Sequence, residues 1–135
     1  MPQHRSTPCG SCPFSRAVKP GTLGGSHPTV FVGQSIGPFV LNCHTADGYE
    51  HKRTDCLAVA QCAGAAIFRA NLGVADRLPD AIHKLPADHE LVFSSHAELV
   101  SHHCQMPEEW AAVMIGDPLQ WLSREMLDPE CREVK

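Results

Sequence analysis

Pro8-Cys9-Gly10-Ser11-Cys12-Pro13 is the stretch on which the predicted fold depends. Two residues separate its two thiols, a glycine follows the first thiol and a proline follows the second. Such a tight turn, the Cys knuckle (residues 9–12), can direct both sulfurs and several backbone N–H groups at one point. A thiolate-bound metal ion or an iron–sulfur cluster requires this arrangement. The pair is half of a four-ligand site, so other segments must supply the rest.

The missing ligands come from further along the chain. Cys43 is next in the set because it lies at the end of a predicted strand, where the backbone would hold it rigidly. The fourth ligand remains open between Cys62, Cys56 and His44, in that order. Small residues after Cys62 leave room for a cluster, whereas Cys56 lies at a predicted helix N-terminus that favours a thiolate. His44 ranks last because adjacent strand residues point to opposite faces.

The spacing of the cysteines also indicates which metal is bound. Structural zinc sites usually combine two paired ligand motifs, but here one Cys-x-x-Cys pair is accompanied by single cysteines. This favours a [4Fe–4S] cluster, with Zn²⁺ as the alternative. Two other interpretations stay open: ordinary buried thiols, and a thioredoxin-like redox motif, which the lack of a strand before Cys9 disfavours.

Composition limits the class of protein. The chain has 135 residues, 43% of them hydrophobic, and a net charge of −4. This charge gives no general attraction to nucleic acid or to an anionic membrane. No stretch is long and apolar enough to span a membrane, and the polar N-terminus lacks the apolar core of a signal peptide. We therefore expect a cytoplasmic protein whose thiols stay reduced.

The predicted fold is a single small α+β domain over residues 1–135. Residues 9–72 form a metal- or cluster-stapled, irregular N-terminal half with a short β-hairpin from strands at 29–32 and 38–41. A helix is predicted over 56–71, capped by Thr54 or Asp55 and stopped by Gly73.

Residues 73–127 are predicted to be mainly helical, and the charged residues 128–135 to be a mobile tail. A short helix over 75–84 and a strand over 90–93 come first. The capping box Ser95-His96-Ala97-Glu98 begins a helix that runs to about Cys104. Two further helices are expected over 107–115 and from Asp117-Pro118 to about 127.

Several residues of this half carry further predictions. Trp110 and Trp121 lie on apolar helix faces and are candidates for partner binding. Cys104 and Cys131 are not expected to be ligands of the proposed site. The run His102-His103-Cys104 is compatible with a second metal site, but a polar helix end is the preferred interpretation.

Three runs of the N-terminal half together resemble a family of small uncharacterised proteins from bacteriophages, actinobacteria and other bacteria. The runs are Pro8-Cys9-Gly10-Ser11-Cys12-Pro13-Phe14-Ser15-Arg16, Val40-Leu41-Asn42-Cys43-His44 and Cys62-Ala63-Gly64. The family pattern is Cys-x-x-Cys-Pro-Trp-Arg, then Phe-x-Cys-His, then Cys-Ala-Gly. The resemblance covers residues 8–72 and implies Cys9, Cys12, Cys43 and Cys62 as one ligand set, with His44 beside them.

The chain departs from that pattern at three places. Phe14 replaces the tryptophan, Ser15-Arg16 replaces the arginine, and a longer loop brings the additional Cys56. The resemblance implies a metal- or cluster-binding protein, often encoded by a mobile element, and implies no catalytic activity.

The leading functional hypothesis is a non-catalytic, phage-type accessory protein that binds a host or phage protein. The first alternative is an iron–sulfur or zinc regulator that binds nucleic acid through basic residues near the proposed ligands: Arg5, Arg16, Lys19, Lys52 and Arg53. The second is a redox or metal-dependent enzyme, in which Glu50 or Asp55 would serve as the base beside an open metal position.

Overall fold

The computed structural model describes His4 and residues 6–23, 26–43 and 60–125. These residues contain five α-helices and one short 3₁₀ helix. The elements are α1 (Pro28–Ile36), α2 (Ala63–Asn71), the 3₁₀ helix (Ala75–Arg77), α3 (His96–Cys104), α4 (Glu108–Ile115) and α5 (Leu119–Glu125). The predictions for residues 44–59 and 126–135 lie outside the described residues.

The predicted α+β fold with a β-hairpin is wrong. Residues 29–32, expected to be the first strand, lie inside α1, and the described part of the chain has only two isolated bridges, Ser15–Val92 and Asn42–Gln61. A helix forms because Pro28 occupies its first turn and the His27 Nδ1 accepts a hydrogen bond from Thr29 N at 3.2 Å. The buried residues of this segment recur with helical rather than alternating spacing. Packing of this helical face therefore overrides the β-preference of the sequence.

A buried arginine closes the C-terminal end of α1. The Arg69 guanidinium, on α2 and 2% exposed, donates hydrogen bonds to four backbone carbonyls at 2.8–3.1 Å. The acceptors are the carbonyl oxygens of Gln34, Ser35, Gly37 and Phe39. These groups would otherwise be buried without a partner at the helix end, so Arg69 takes the place of a local C-cap.

Helix α2 is shorter at its N-terminus than predicted. It begins at Ala63 with Cys62 as its N-cap, and residues 60–62 are extended, so the prediction of a helix across these three residues is wrong. The reason is backbone pairing: Cys43 N donates to Ala60 O at 2.8 Å and Cys62 N donates to Leu41 O at 2.6 Å. The predicted stop is confirmed, since Gly73 has φ of +75° just after the helix.

The C-terminal helices largely follow the sequence. The Ser95 Oγ accepts from Glu98 N at 3.1 Å, which confirms Ser95 as the N-cap and the helix ending at Cys104, while the Glu98 carboxylate accepts from Ser94 N rather than from Ser95 N. Helices α4 and α5 are also confirmed where they are described. The helix expected over 75–84 is reduced to the 3₁₀ helix, and the strand over 90–93 is reduced to one bridge at Val92.

One hydrophobic core joins the N-terminal loop to the helices. Helix α1 packs against α2, α3 and α5, and α3 packs against α4. The buried cluster consists of Cys12, Phe14, Val32, Cys62, Ala65, Ile67, Phe68, Val92, Phe93, Leu99, Val100, Ala111 and Ile115. Both the metal-binding half and the helical half that the sequence suggested contribute to it. Among the described helices, none has the length and apolar content to cross a membrane.

Candidate metal centre

Two of the predicted ligands meet in the core. Cys12 Sγ and Cys62 Sγ lie 3.7 Å apart, and both residues are buried. Cys12 is held by two turns of the Cys knuckle: its N–H donates to Cys9 O at 3.2 Å, and its carbonyl accepts from Ser15 N at 3.0 Å. Cys62 is fixed as the N-cap of α2. The fold thus brings together two thiols that are distant in sequence.

Gly64 allows this approach. A Cβ atom built on Gly64 would overlap Cys12 Sγ, and it would lie 3.2 Å from Phe14 Cβ and 3.7 Å from Cys62 Sγ. Any side chain at this position would therefore displace the Cys12 sulfur or shift the helix. The sequence predicts that the small residues after Cys62 leave room for a cluster, and at Gly64 that room is taken by the Cys12 thiol.

Cys43 lies on the segment that pairs with Cys62. Asn42 and Gln61 face each other across the antiparallel bridge, so their neighbours Cys43 and Cys62 both point to the opposite face of this pair of segments. Diagonal neighbours of this kind have Cα atoms about 7–8 Å apart. Cys43 is 3% exposed. Its backbone therefore places Cys43 on the same face of this pair of segments as Cys62.

The remaining candidates differ in their placement. Cys9 is half-buried, opens the Cys knuckle and packs against the core. His44 and Cys56, the alternate ligands, and Cys131 lie outside the described residues. Within the ranges that the structure describes, no three His, Cys, Asp or Glu side chains form a group able to hold a metal ion.

The two central thiols differ in their affinity for protons. The pKa of Cys62 is lowered, chiefly because the Cys12 thiol donates a hydrogen bond to it, and also because Ala65 N donates to its Sγ at 3.4 Å. Burial opposes this effect. The pKa of Cys12 is raised, first by the same shared hydrogen bond and then by burial. Cys62 is therefore the thiol that becomes a thiolate first, at the N-terminus of α2.

Arg69 adds positive charge to this region. It is seven residues from Cys62, about two turns along the same face of α2. Burial lowers the pKa of Arg69 to about 10, and the Cys62 thiolate partly offsets this effect. The salt bridge among the described residues is Arg16–Glu98. No described carboxylate therefore neutralises the charge of Arg69. A buried cation suits a centre that accumulates thiolate charge.

The distance between the two sulfurs agrees with ligation of a single ion. Two thiolates at about 2.3 Å from one tetrahedral zinc lie about 3.8 Å apart. Cys12 Sγ and Cys62 Sγ are separated by 3.7 Å. In a [4Fe–4S] cluster each thiolate binds a different iron, so the sulfurs lie farther apart. The chemistry of the thiol donors fits a metal ion, and the separation of the two sulfurs matches that of two thiolates on one ion.

Two histidines of α3 anchor the N-terminal loop. The His103 Nε2 donates to Pro13 O at 2.7 Å while its Nδ1 accepts from Gly21 N at 3.0 Å, which fixes a neutral ring. The His102 Nε2 donates to Val18 O at 2.7 Å. These bonds use the imidazoles to position the segment that follows the Cys knuckle. Cys104, the third member of the suggested second metal site, is half-buried against the core.

Arg16 is engaged in a network within the fold. Its guanidinium contacts the Glu98 carboxylate at 2.6 and 3.0 Å, the Ser94 Oγ at 2.9 Å and the Glu90 carbonyl at 2.8 Å. Of the basic residues suggested for nucleic-acid binding, Arg16 therefore serves to attach the Cys knuckle to α3. Lys19 is exposed, and the other three lie outside the described residues.

The two tryptophans proposed for partner binding have different environments. Trp110 is 68% exposed on α4. The Trp121 ring is half-buried against the core, and its Nε1 donates to Ile115 O at 2.7 Å. Trp121 thus closes the C-terminal end of α4, and only Trp110 presents a ring to solvent.

Sequence reasoning missed the roles of Arg69 and His103, which hold the segments next to Cys62 and Cys12. Arg69 lies in the last turn of an Ala-rich helix, where the sequence indicates an ordinary basic residue near a helix C-terminus. His103 was considered as a metal ligand or as part of a polar helix end, and its role as a loop anchor has no sequence signal. Comparison of the chain with protein-family models, with curated proteins and with solved structures gave no match.

Proposed function

We propose that this chain is a small cytoplasmic metal-thiolate protein that acts by binding a protein partner rather than by catalysis. Cys9, Cys12, Cys43 and Cys62 are the proposed ligands. The observation that carries the proposal is the buried contact between Cys12 and Cys62, with their Sγ atoms 3.7 Å apart. When bound, the metal would cross-link three segments that are separated in sequence and so stabilise the fold.

The geometry of the thiol pair favours Zn²⁺ as the bound group. Two thiolates at this separation match one tetrahedral ion, whereas the [4Fe–4S] cluster favoured by the cysteine spacing requires the sulfurs to move apart. The cluster is the alternative, because one Cys-x-x-Cys pair accompanied by single cysteines favours it.

A non-catalytic role agrees with the proposed ligand set. Four thiolates complete the coordination of a tetrahedral ion and leave no open position for a substrate or an activated water. The resemblance of residues 8–72 to small phage and bacterial proteins supports a host or phage protein as the partner. Arg16 is occupied by Glu98 and the Ser94 hydroxyl, which weighs against the nucleic-acid alternative.

Metal analysis of protein purified without oxygen tests the proposal. We expect a single zinc ion per chain in a colourless protein. Iron with sulfide in a brown protein would identify the cluster instead. Folded, metal-free protein with reduced thiols would contradict the proposed centre.

A further inference from the structure

Helix α4 presents an apolar face to solvent. Trp110 is 68% exposed, Val113 83% and Met114 40%. These three residues, the Trp110 face, are spaced i, i+3 and i+4, so they lie together on one side of the helix. Large apolar groups clustered in this way on a surface mark an interaction site more often than single exposed ones do.

Within the part of the chain that the structure describes, no helix packs on the Trp110 face. Helix α4 packs against α3, and its buried residues, Ala111 and Ile115, lie on the other side of the helix. At 100° per residue, Ala111 and Ile115 are centred about 120° from Trp110. Substitutions on the Trp110 face should therefore alter binding without altering the core.

The segment that carries the Trp110 face is acidic. Glu109 is at the helical position next to Val113, and Glu108 and Asp117 lie at the two ends of α4. From Pro107 to Leu122 the sequence contains these three carboxylates and no Lys, Arg or His. An apolar surface with a negative border is complementary to a partner that has apolar anchors and a positive border.

We propose that the Trp110 face binds an amphipathic helix whose apolar side is bordered by Lys or Arg. Trp110 would be the central anchor, since an exposed tryptophan supplies large contact area at low entropic cost. The inference rests on the proposed function, because it specifies the partner of a non-catalytic binding protein. A second copy of this chain fits less well, because it would bring the same carboxylates against Glu108 and Glu109.

A synthetic peptide tests the chemistry of the partner. The probe is a fluorescein-labelled peptide of about 15 leucines and lysines in helical spacing. The matched peptide carries glutamate in place of lysine. Fluorescence anisotropy with the full-length protein should give binding of the lysine peptide only, and Trp110→Ser should weaken that binding about tenfold or more.

Charge-matched variants separate local from general attraction. Glu108→Lys with Glu109→Lys should weaken binding of the lysine peptide severalfold. Asp76→Lys with Asp80→Lys changes the net charge equally at exposed positions outside α4 and should have little effect. The inference would be overturned if both double variants lost the same affinity for the lysine peptide, or if the glutamate peptide bound. It would also be overturned if Trp110→Ser bound the lysine peptide as well as the wild type does. Sedimentation showing a dimer that Val113→Lys dissociates would overturn it as well.

Metal content measured on the same samples separates this inference from the proposed metal centre. Protein with stoichiometric metal that does not bind the lysine peptide would overturn the partner inference and leave the metal centre intact. Metal-free protein that binds the peptide through Trp110 would overturn the metal centre and support the Trp110 face.

Discussion

Cys12 Sγ and Cys62 Sγ lie 3.7 Å apart in the core, although 50 residues separate them in the chain. The first belongs to the Cys knuckle and the second is the N-cap of α2. Such a pair can share a proton or a metal ion, and both states would join the N-terminal loop to the helices. This contact is the basis of the proposed function, and the predictions below concern the residues that create it or stabilise its surroundings.

Replacing Gly64 by alanine should disturb the centre. The added methyl group would overlap Cys12 Sγ, so either the sulfur or the helix must shift. We expect a loss of about 1–3 kcal/mol in the free energy of unfolding, as for other overpacked cores, together with reduced metal content. Urea denaturation and metal analysis measure both effects.

Gly10→Ala is the matched control for this substitution. A Cβ atom on Gly10 has no neighbour within 4 Å, although Gly10 also lies next to a proposed ligand. Its metal content should stay normal. Equal behaviour of the two variants would show that the space beside Gly64 has no role in the centre.

Arg69→Ala should destabilise the fold strongly. The substitution leaves four buried carbonyls around the end of α1 without their donor. Each buried carbonyl left without a partner costs about 1–3 kcal/mol, so the total loss should exceed that of a single hydrogen bond. Arg69→Lys should recover only part of this, because an ammonium cannot reproduce the planar guanidinium contacts.

Arg77→Ala serves as the control for Arg69, because Arg77 is exposed on the 3₁₀ helix. Its free energy of unfolding should lie within about 0.5 kcal/mol of the wild type. A mild effect of Arg69→Ala, similar to that of Arg77→Ala, would refute the capping role.

Stability should fall as the pH falls below about 6.5. Burial lowers the pKa of His96 from 6.5 to about 4, and its Nε2 lies 2.8 Å from the Ser35 Oγ. Between pH 6.5 and about pH 4, His96 is therefore protonated in the unfolded chain but neutral in the folded protein. Protonation thus favours the unfolded state, and the free energy of unfolding falls in acid. The contribution of His96 is about 3 kcal/mol, fully present above pH 6.5 and lost by about pH 4.

The measurement is the urea midpoint at several pH values for the wild type and for His96→Gln. The variant should show a smaller loss of stability in acid. His89→Gln, which alters a surface contact to Leu91 N, should keep the wild-type dependence. Identical pH profiles for His96→Gln and the wild type would contradict the assignment to His96. Burial also lowers the pKa of His103, so some acid sensitivity should remain.

The two tryptophans should behave differently when replaced. Trp110→Ser should leave the free energy of unfolding within about 0.5 kcal/mol, since the ring is 68% exposed. Trp121→Ser should cost about 2 kcal/mol, because the ring packs on the core and its Nε1–H binds Ile115 O. Thermal unfolding of both variants checks this, and a destabilised Trp110→Ser would show that α4 uses this face for folding.

The sequence predicted the C-terminal helices because their signals are local. A capping box at Ser95, a proline at position 107 and Asp117-Pro118 each specify a helix start through contacts within one turn. The hairpin prediction failed because the β-preference of residues 29–32 outweighed a local helix start and because a distant contact was not visible in the sequence. Pro28 and the His27 cap begin α1 within one turn, and Arg69 of α2 binds the carbonyls at its end.

The sequence could single out two thiols that meet in the core, but not their geometry. The order of the Cys-x-x-Cys, Cys-His and Cys-Ala-Gly motifs predicts Cys9, Cys12, Cys43 and Cys62 as ligands, and of these Cys12 and Cys62 are in contact. Their contact depends on Gly64 and on the pairing of residues 41–43 with 60–62, which arises only in the folded chain. The same is true of Arg69. Its carbonyl acceptors precede it by 30 to 35 positions in the sequence.

Metal content of cysteine variants tests the central claim most directly. The wild type, Cys12→Ser, Cys62→Ser and Cys104→Ser would be purified without oxygen, and zinc, iron, sulfide and free thiols would be measured per chain. We predict stoichiometric metal in the wild type and in Cys104→Ser, and loss of that metal in Cys12→Ser and in Cys62→Ser. Metal-free wild-type protein, or metal retained in both Cys12→Ser and Cys62→Ser, would contradict the proposed metal centre.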